Sequence, residues 1–153
     1  MLLDDDFMKE AKKEAKLALD KDEVPVGAVI VYDNKIISRA HNLKENLKDV
    51  TAHAEILAIR QAEQVLDNFR LTGCSLYVTL EPCPLCVSAI MASRIKKLYI
   101  GTFDLSMGAC GSVFHLINDD HFNHKINVKW LNDDECGLIL SNFFKGKRGQ
   151  GQV

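Results

Sequence analysis

The chain has 153 residues, 47% of them hydrophobic and 26% charged, with a net charge of −2. This suffices for a single domain, residues 1–153, with a substantial core, and the near-neutral balance excludes the global basic field of a non-selective nucleic-acid binder. No stretch approaches the roughly 18 apolar residues of a membrane span.

Met1–Glu10 lacks the basic start and apolar run of a secretory signal. Five cysteines are an odd number for a disulfide framework. A reducing, cytoplasmic setting with no membrane partner is the expectation.

Asp4, Asp5 and Asp6 suit a helix start, and Phe7, Ala11, Ala15, Ala18 and Leu19 then share one face at helical spacing. Val24 to Tyr32 is a nearly unbroken apolar, β-branched run, the pattern of a strand buried on both faces. Asp33-Asn34 predicts a turn into a second strand, Lys35 to Arg39. A loop holding His41 and Asn42 leads to a helix over Ala52 to Leu66. Leu76 to Leu80 reads as a short buried strand. The Cys83 region opens a helix to about Arg94, and Lys97 to Thr102 is the next strand, so this unit has room for a parallel crossover. Asp104 to Lys125 reads as irregular. Ile126, Val128 and Trp130 alternate with Asn127 and Lys129, as in a half-exposed edge strand. Asn132 and Glu135 stand as cap and N3 partner of a last helix carrying Leu138, Phe143 and Phe144. A basic, glycine-bearing tail, Lys145 to Val153, follows. The sum is an α/β fold, a mixed sheet of about five strands with helices on both faces.

Two segments carry chemistry: Thr51-Ala52-His53-Ala54-Glu55, then Glu81-Pro82-Cys83-Pro84-Leu85-Cys86. Zinc takes thiolate sulfur and imidazole nitrogen in a tetrahedral shell, with three protein ligands and water when catalytic and four protein ligands when structural. Pro84 disfavours helical geometry at Cys83 but tolerates the first helical position itself. Cys83 is then the helix cap and Cys86 the N3 residue, positions whose side chains can face each other. The positive end of the helix favours thiolate over thiol. His53 supplies a third ligand. Residues two apart do not share a face inside a helix, so His53 and Glu55 can address one metal only from a helix end, with Thr51 or Ala52 near its start.

Two thiolates and a neutral imidazole cancel the charge of Zn²⁺, so a nearby base should help, and Glu55 is placed to be it. A thiol redox pair at Cys83 and Cys86 would leave His53 and Glu55 idle. A structural zinc site needs a fourth ligand, and His41, His115, His121 and His124 do not stand at finger spacing. Cys74, Cys110 and Cys136 read as small buried hydrophobes.

The joint pattern, H-x-E followed by P-C-x-x-C, is the signature of the zinc nucleobase deaminases. Further segments carry a closer likeness: Glu23-Val24-Pro25-Val26-Gly27-Ala28-Val29, Leu76-Tyr77-Val78-Thr79-Leu80, Gly108-Ala109-Cys110-Gly111-Ser112 and Asp134-Glu135-Cys136. On these the chain resembles, over almost its full length, the bacterial tRNA-specific adenosine deaminases. The resemblance implies a cytidine deaminase-like three-layer α/β/α fold and a homodimer. It implies one Zn²⁺ per subunit, on His53, Cys83 and Cys86, with Glu55 as catalytic acid and base. The reaction is conversion of the wobble adenosine of a tRNA, chiefly an arginine tRNA, to inosine, with the base splayed out of the anticodon stem-loop.

By the same resemblance Asn42 contacts the flipped nucleotide, the backbone of Ala54 lines the pocket with Cys83, and Asp104 lies near the ribose. Phe143, Phe144, Lys145, Lys147 and Arg148 match the aromatic and basic end that meets the stem-loop. Taken alone, Asn42 is equally a turn residue, Asp104 a turn cap, and the phenylalanines core. A deaminase of free guanine, cytosine or a nucleoside would use the same zinc core, and a non-catalytic structural-zinc module is the remaining alternative.

Overall fold

The computed structural model describes residues 2–149, with side chains through Lys147. In chain order the elements are α1 (Asp4–Asp20), β1 (Gly27–Tyr32), β2 (Lys35–His41), α2 (Lys44–Leu47), α3 (Ala54–Leu66), β3 (Ser75–Leu80), α4 (Pro84–Ala92), β4 (Lys97–Thr102), β5 (Asn127–Trp130) and α5 (Asp134–Gly149). The strands form one mixed sheet in the order β2-β1-β3-β4-β5. β1 is antiparallel to β2 and β3, while β3, β4 and β5 run parallel. The parallel β3-α4-β4 crossover is the one the sequence predicts.

Alternation along the central strands builds two cores. Ala28, Ile30, Leu76, Val78, Leu98 and Ile100 face α3 and α4, against Ala58, Ile59, Ala62, Val87, Ile90 and Met91. Val29, Val31, Tyr77 and Tyr99 face the other way, against Phe7, Met8 and Ala11 of α1 and Cys136 of α5. The β1 run is therefore apolar throughout because both faces are covered. Tyr77 and Tyr99 stack at 4.2 Å between ring centroids, and the Tyr77 hydroxyl donates to Asp4 Oδ1 at 2.7 Å, tying the start of α1 to the sheet.

Local details follow from residue type. Asp33 and Asn34 both have positive φ, 52° and 60°, the two-residue turn whose twist matches a hairpin. β5 alternates exposed and half-buried positions, as an edge strand should.

Several boundaries differ from expectation. β1 begins at Gly27, not Val24, and β2 runs on to His41, which therefore lies in a strand. α1 includes all three opening acids, and Leu19 is exposed, with Met8 taking its place in the core. α3 starts at Ala54, two residues later than predicted. The short α2 falls where a loop was expected. The cap of α5 is Asp133, whose Oδ1 accepts from Glu135 N at 3.0 Å and Cys136 N at 3.4 Å. Asn132 instead takes left-handed backbone, φ 49°, as asparagine tolerates. α5 also continues through Lys145, Lys147 and Arg148 to Gly149, so the first part of the expected tail is helical. Lysine and arginine are good helix formers and suit a helix C-terminal end. The side chain of Arg148 and residues 150–153 lie outside the described residues.

Gly27 sets how α1 meets the sheet. A Cβ there would fall on the carbonyl oxygen of Ala11 and within 2.5 Å of Ala15 N. Helix backbone thus rests directly on strand backbone, with the buried Ala11 and Ala15 as the contact. Gly27→Ala is expected to destabilise by about 1–3 kcal/mol through overpacking, read as a drop of several degrees in the thermal midpoint. An unchanged midpoint would mean that α1 can lift off at no cost.

Candidate active site

The chemistry-bearing side chains gather at two helix starts. His53 is the N-cap of α3, with extended backbone (φ −76°, ψ 151°), and Cys83 is the N-cap of α4 (φ −80°, ψ 174°). Pro84 opens α4, which makes Cys86 the third helical residue, the arrangement expected from the Cys-Pro-Leu-Cys spacing. The later start of α3 puts His53 before the first turn and Glu55 within it. A helix end is where two residues so close in sequence can address one point.

The ligand atoms of His53, Cys83 and Cys86 lie within 4.8 Å of one another, and Nδ1 is the imidazole atom facing Cys83 Sγ, at 3.8 Å. Tetrahedral zinc with Zn–S of about 2.3 Å and Zn–N of about 2.0 Å places sulfur and nitrogen roughly 3.5 Å apart. The donor set and its spacing fit the ion. Among the described residues no fourth donor joins the group. His41 is held between Glu14 Oε1 at 2.9 Å and Lys21 Nζ at 3.0 Å, and His124 Nε2 meets the carbonyl of Ile95 at 2.8 Å. His121 pairs with Asp119, and His115 lies in an isolated bridge with Cys110. Three is the number of protein donors typical of catalytic zinc sites, whereas closed structural sites use four. Cys74, Cys110 and Cys136 are buried and free, as expected.

Electrostatics sharpen the site. The Cys86 thiol donates to Cys83 and, with help from His53, brings Cys83 down to about 4. The same contact, together with burial, pushes Cys86 up, and contact with Cys83 raises His53. Two sulfurs compete for one negative charge, and a divalent cation held by both would let each be a thiolate. Glu55 is buried, and burial pushes its carboxyl up to about 7.

Asn42 is buried beside this group, and its Oδ1 accepts from the backbone N–H of Ala54 at 2.8 Å. It thereby satisfies the first free amide of α3, a contact the sequence did not disclose because Asn42 lies in the loop after β2, 12 residues before Ala54. Two cavities flank the second half of α5. One, of about 720 Å³, is lined by Asn42, Phe143 and four lysines, Lys21, Lys44, Lys48 and Lys147, set among the acids Asp22, Glu23 and Glu45. The other, of about 1160 Å³, is lined by Leu80, Phe103, Asp104, Leu138, Phe144 and Lys145. Of the expected substrate-contacting residues, Asn42 and Lys147 line the first groove and Asp104, Phe144 and Lys145 the second, whereas Ala54 lines neither; nor does either wall include His53, Cys83 or Cys86. Lys147 Nζ is taken up by Asp22 Oδ1 at 2.9 Å and lies over the half-buried ring of Phe143, whereas Phe144 is exposed. The Asp104 carboxylate closes its own turn, accepting from Ser106 N at 2.9 Å and Ser106 Oγ at 2.8 Å.

Sequence reasoning assigned no role to Glu81. It is buried two residues before Cys83, and its carboxylate accepts from Asp104 N, Cys110 N, Ser112 N and Ser112 Oγ. A carboxylate so close to a zinc-ligand motif could have been flagged. Its partners, 23 to 31 residues downstream, could not.

With this geometry in place, the comparisons with known proteins are specific. The family model of the cytidine and deoxycytidylate deaminase zinc-binding region matches residues 1–102, which places the protein among the zinc-dependent deaminases. The tRNA-specific adenosine deaminase of Bacillus subtilis is 47% identical over 149 residues, covering 97% of this chain and 92% of the relative. That of Aquifex aeolicus is 47% identical over 142 residues, covering 93% and 94%. The chain belongs to the tRNA-specific adenosine deaminase family. A solved structure from work on A-to-I editing by tRNA:A34 deaminases at the wobble position superposes with a TM-score of 0.85 at 44% identity, covering 88% of this chain and 98% of the other. The guanine deaminase of Bacillus subtilis superposes with a TM-score of 0.66 at 30% identity, covering 96% and 95%.

Proposed function

We propose that this protein hydrolyses the wobble adenosine of a tRNA anticodon to inosine, releasing ammonia, with an arginine tRNA as the chief substrate. The observation that carries the reading is the meeting of His53 Nδ1, Cys83 Sγ and Cys86 Sγ next to the buried carboxyl of Glu55, in a chain of this family. His53, Cys83 and Cys86 would hold one zinc per subunit. When bound, the metal supplies Lewis acidity that makes a nucleophile of water at neutral pH. Glu55 takes the proton of the attacking water and delivers it to a ring nitrogen of the adenine. The adjacent C6 becomes electrophilic and accepts the oxygen. Glu55 then takes the second proton, from the oxygen newly bonded to C6, and passes it to the exocyclic amine, which leaves as ammonia as the C6–N bond breaks. The carboxyl must both accept and return a proton, and burial raises it above the ordinary carboxylate range.

Binding would extend from the starts of α3 and α4 to the two grooves. Asn42 and the backbone of Ala54 and Cys83 receive the splayed base, with Asp104 at the ribose. Phe144, Lys145, Lys147 and Arg148 meet the anticodon stem-loop through stacking and phosphate contacts. The ion pair of Lys147 with exposed Asp22 is no obstacle, because such pairs contribute only about 0–1 kcal/mol and exchange with solvent. A single domain acting as a homodimer in the cytoplasm completes the proposal; among the described residues no helix is long and apolar enough to cross a membrane.

The deciding experiment incubates purified protein with tRNA and sequences the transcripts. Adenosine read as guanosine at the wobble position, and nowhere else, is the expected result. The likeness to a guanine deaminase supports a second reading, deamination of a free base, which predicts ammonia release from guanine and no change in the tRNA.

A further inference from the structure

We propose that Glu81 is a positioning residue: its buried carboxylate fastens the Asp104–Ser112 loop, one wall of the substrate groove, to the segment that carries Cys83. The proposal rests on the deaminase reading for its kinetic consequence, though not for the contacts themselves. Glu81 is 2% exposed. Oε1 accepts from Asp104 N at 2.9 Å and Ser112 Oγ at 2.5 Å, and Oε2 accepts from Cys110 N at 2.9 Å and Ser112 N at 3.2 Å. Every bond reaches one loop, and three of them satisfy backbone amides that no strand or helix pairs. A buried amide such as that of Cys110, left without a partner, costs about 1–3 kcal/mol, so this side chain helps to set the loop's path.

The backbone of the same segment adds to the attachment. The Pro82 carbonyl accepts from Ala109 N at 2.8 Å, and Glu81 N donates to the Thr102 carbonyl at 2.9 Å. Gly108 is packed so closely that a Cβ would strike the Glu81 carboxylate. Glu81-Pro82-Cys83 therefore bears a loop anchor at one end and a metal-facing sulfur at the other. The distance between the metal centre and the groove wall of Asp104, Leu105 and Ser106 is set within three residues. A loop released from this anchor holds substrate less firmly, and the loss of binding common to ground and transition states raises KM without lowering kcat.

Glutamine cannot substitute. Whichever way its amide is turned, the NH₂ group confronts a backbone N–H, that of Asp104 or those of Cys110 and Ser112. The test compares Glu81→Gln and Ser112→Ala with the parent protein, all zinc-loaded. Zinc content, amide hydrogen exchange and steady-state kinetics on an anticodon stem-loop are measured. For Glu81→Gln we expect one zinc per chain and exchange at least about tenfold faster at Asp104, Cys110 and Ser112, with β3 and β4 amides unaffected; KM should rise about tenfold while kcat stays within about threefold. Ser112→Ala removes one of the four bonds and should shift KM and the Asp104 and Cys110 amides the same way by a smaller factor. It decides the matter should Glu81→Gln not fold. Unchanged exchange at these amides, unchanged KM with the loop released, or activity lost only in step with zinc would each overturn the proposal. If the parent protein itself left the stem-loop unmodified, the activity reading would fail, and the exchange arm would still decide whether Glu81 holds the loop.

Discussion

Replacing Glu55 by glutamine is expected to leave zinc bound and to slow inosine formation by about 10²–10⁴-fold, the usual contribution of a positioned acid–base group. The side chain sits in the first turn of α3, buried, two residues past His53. Glutamine matches its size and keeps hydrogen-bonding capacity, so the core formed by Ala54, Ala58 and Ile59 has no reason to rearrange. What glutamine cannot do is take a proton from water and hand it on. Metal analysis of the purified variant together with single-turnover deamination separates the two effects. A zinc-loaded Glu55→Gln protein that works at the parent rate would remove Glu55 from the mechanism, and with it the acid–base step.

Cys86→Ser is expected to abolish activity by the other route, through loss of the metal. Cys86 has no solvent exposure and faces Cys83 across the first turn of α4. Serine offers a harder, far less acidic donor in place of a thiolate, which zinc at a site of this kind does not replace with retained affinity. The purified variant should carry well under a tenth of the parent's zinc after dialysis, with activity falling in proportion. The sheet and its two cores do not run through the metal, so the variant should still unfold cooperatively. Chelator treatment of the parent protein should behave alike, with activity gone and then restored by zinc. Collapse of the fold on chelation would mark the metal as structural.

Much of the site was legible because its signals are local. The Cys-Pro-Leu-Cys spacing alone specifies a cap and an N3 residue, since proline excludes helical backbone at Cys83 and accepts the first helical position. The spacing of His53 and Glu55 demands a helix end, and α3 begins at Ala54, directly after His53. Boundaries were legible only where a residue enforces them. Asp33-Asn34 turned the chain as expected, whereas the start of β1 and the end of β2 depend on which backbone groups find partners across the sheet. The cap of α5 passed from Asn132 to Asp133 for a similar reason. Both residues can cap a helix, and Lys12, reaching Asp133 at 2.8 Å from α1, is a contact between the ends of the chain. Leu19 falls outside the core although its neighbour Ala18 is fully buried, so the buried stripe of α1 is narrower than helical periodicity suggests.

Residue order by itself pointed to the three clustered donors, the buried character of β1 and the parallel crossover, because each depends on chemistry or stereochemistry within a few residues. Tertiary structure alone decided that Asn42 completes the start of α3 and that Glu81 binds a loop 23 to 31 residues away. It also decided that the aromatic and basic end of α5 presents Phe143 and Phe144 to different grooves. Such pairings are set where buried amides and carboxylates must find one another once the sheet has closed, and no spacing in the chain encodes which partner lies within reach.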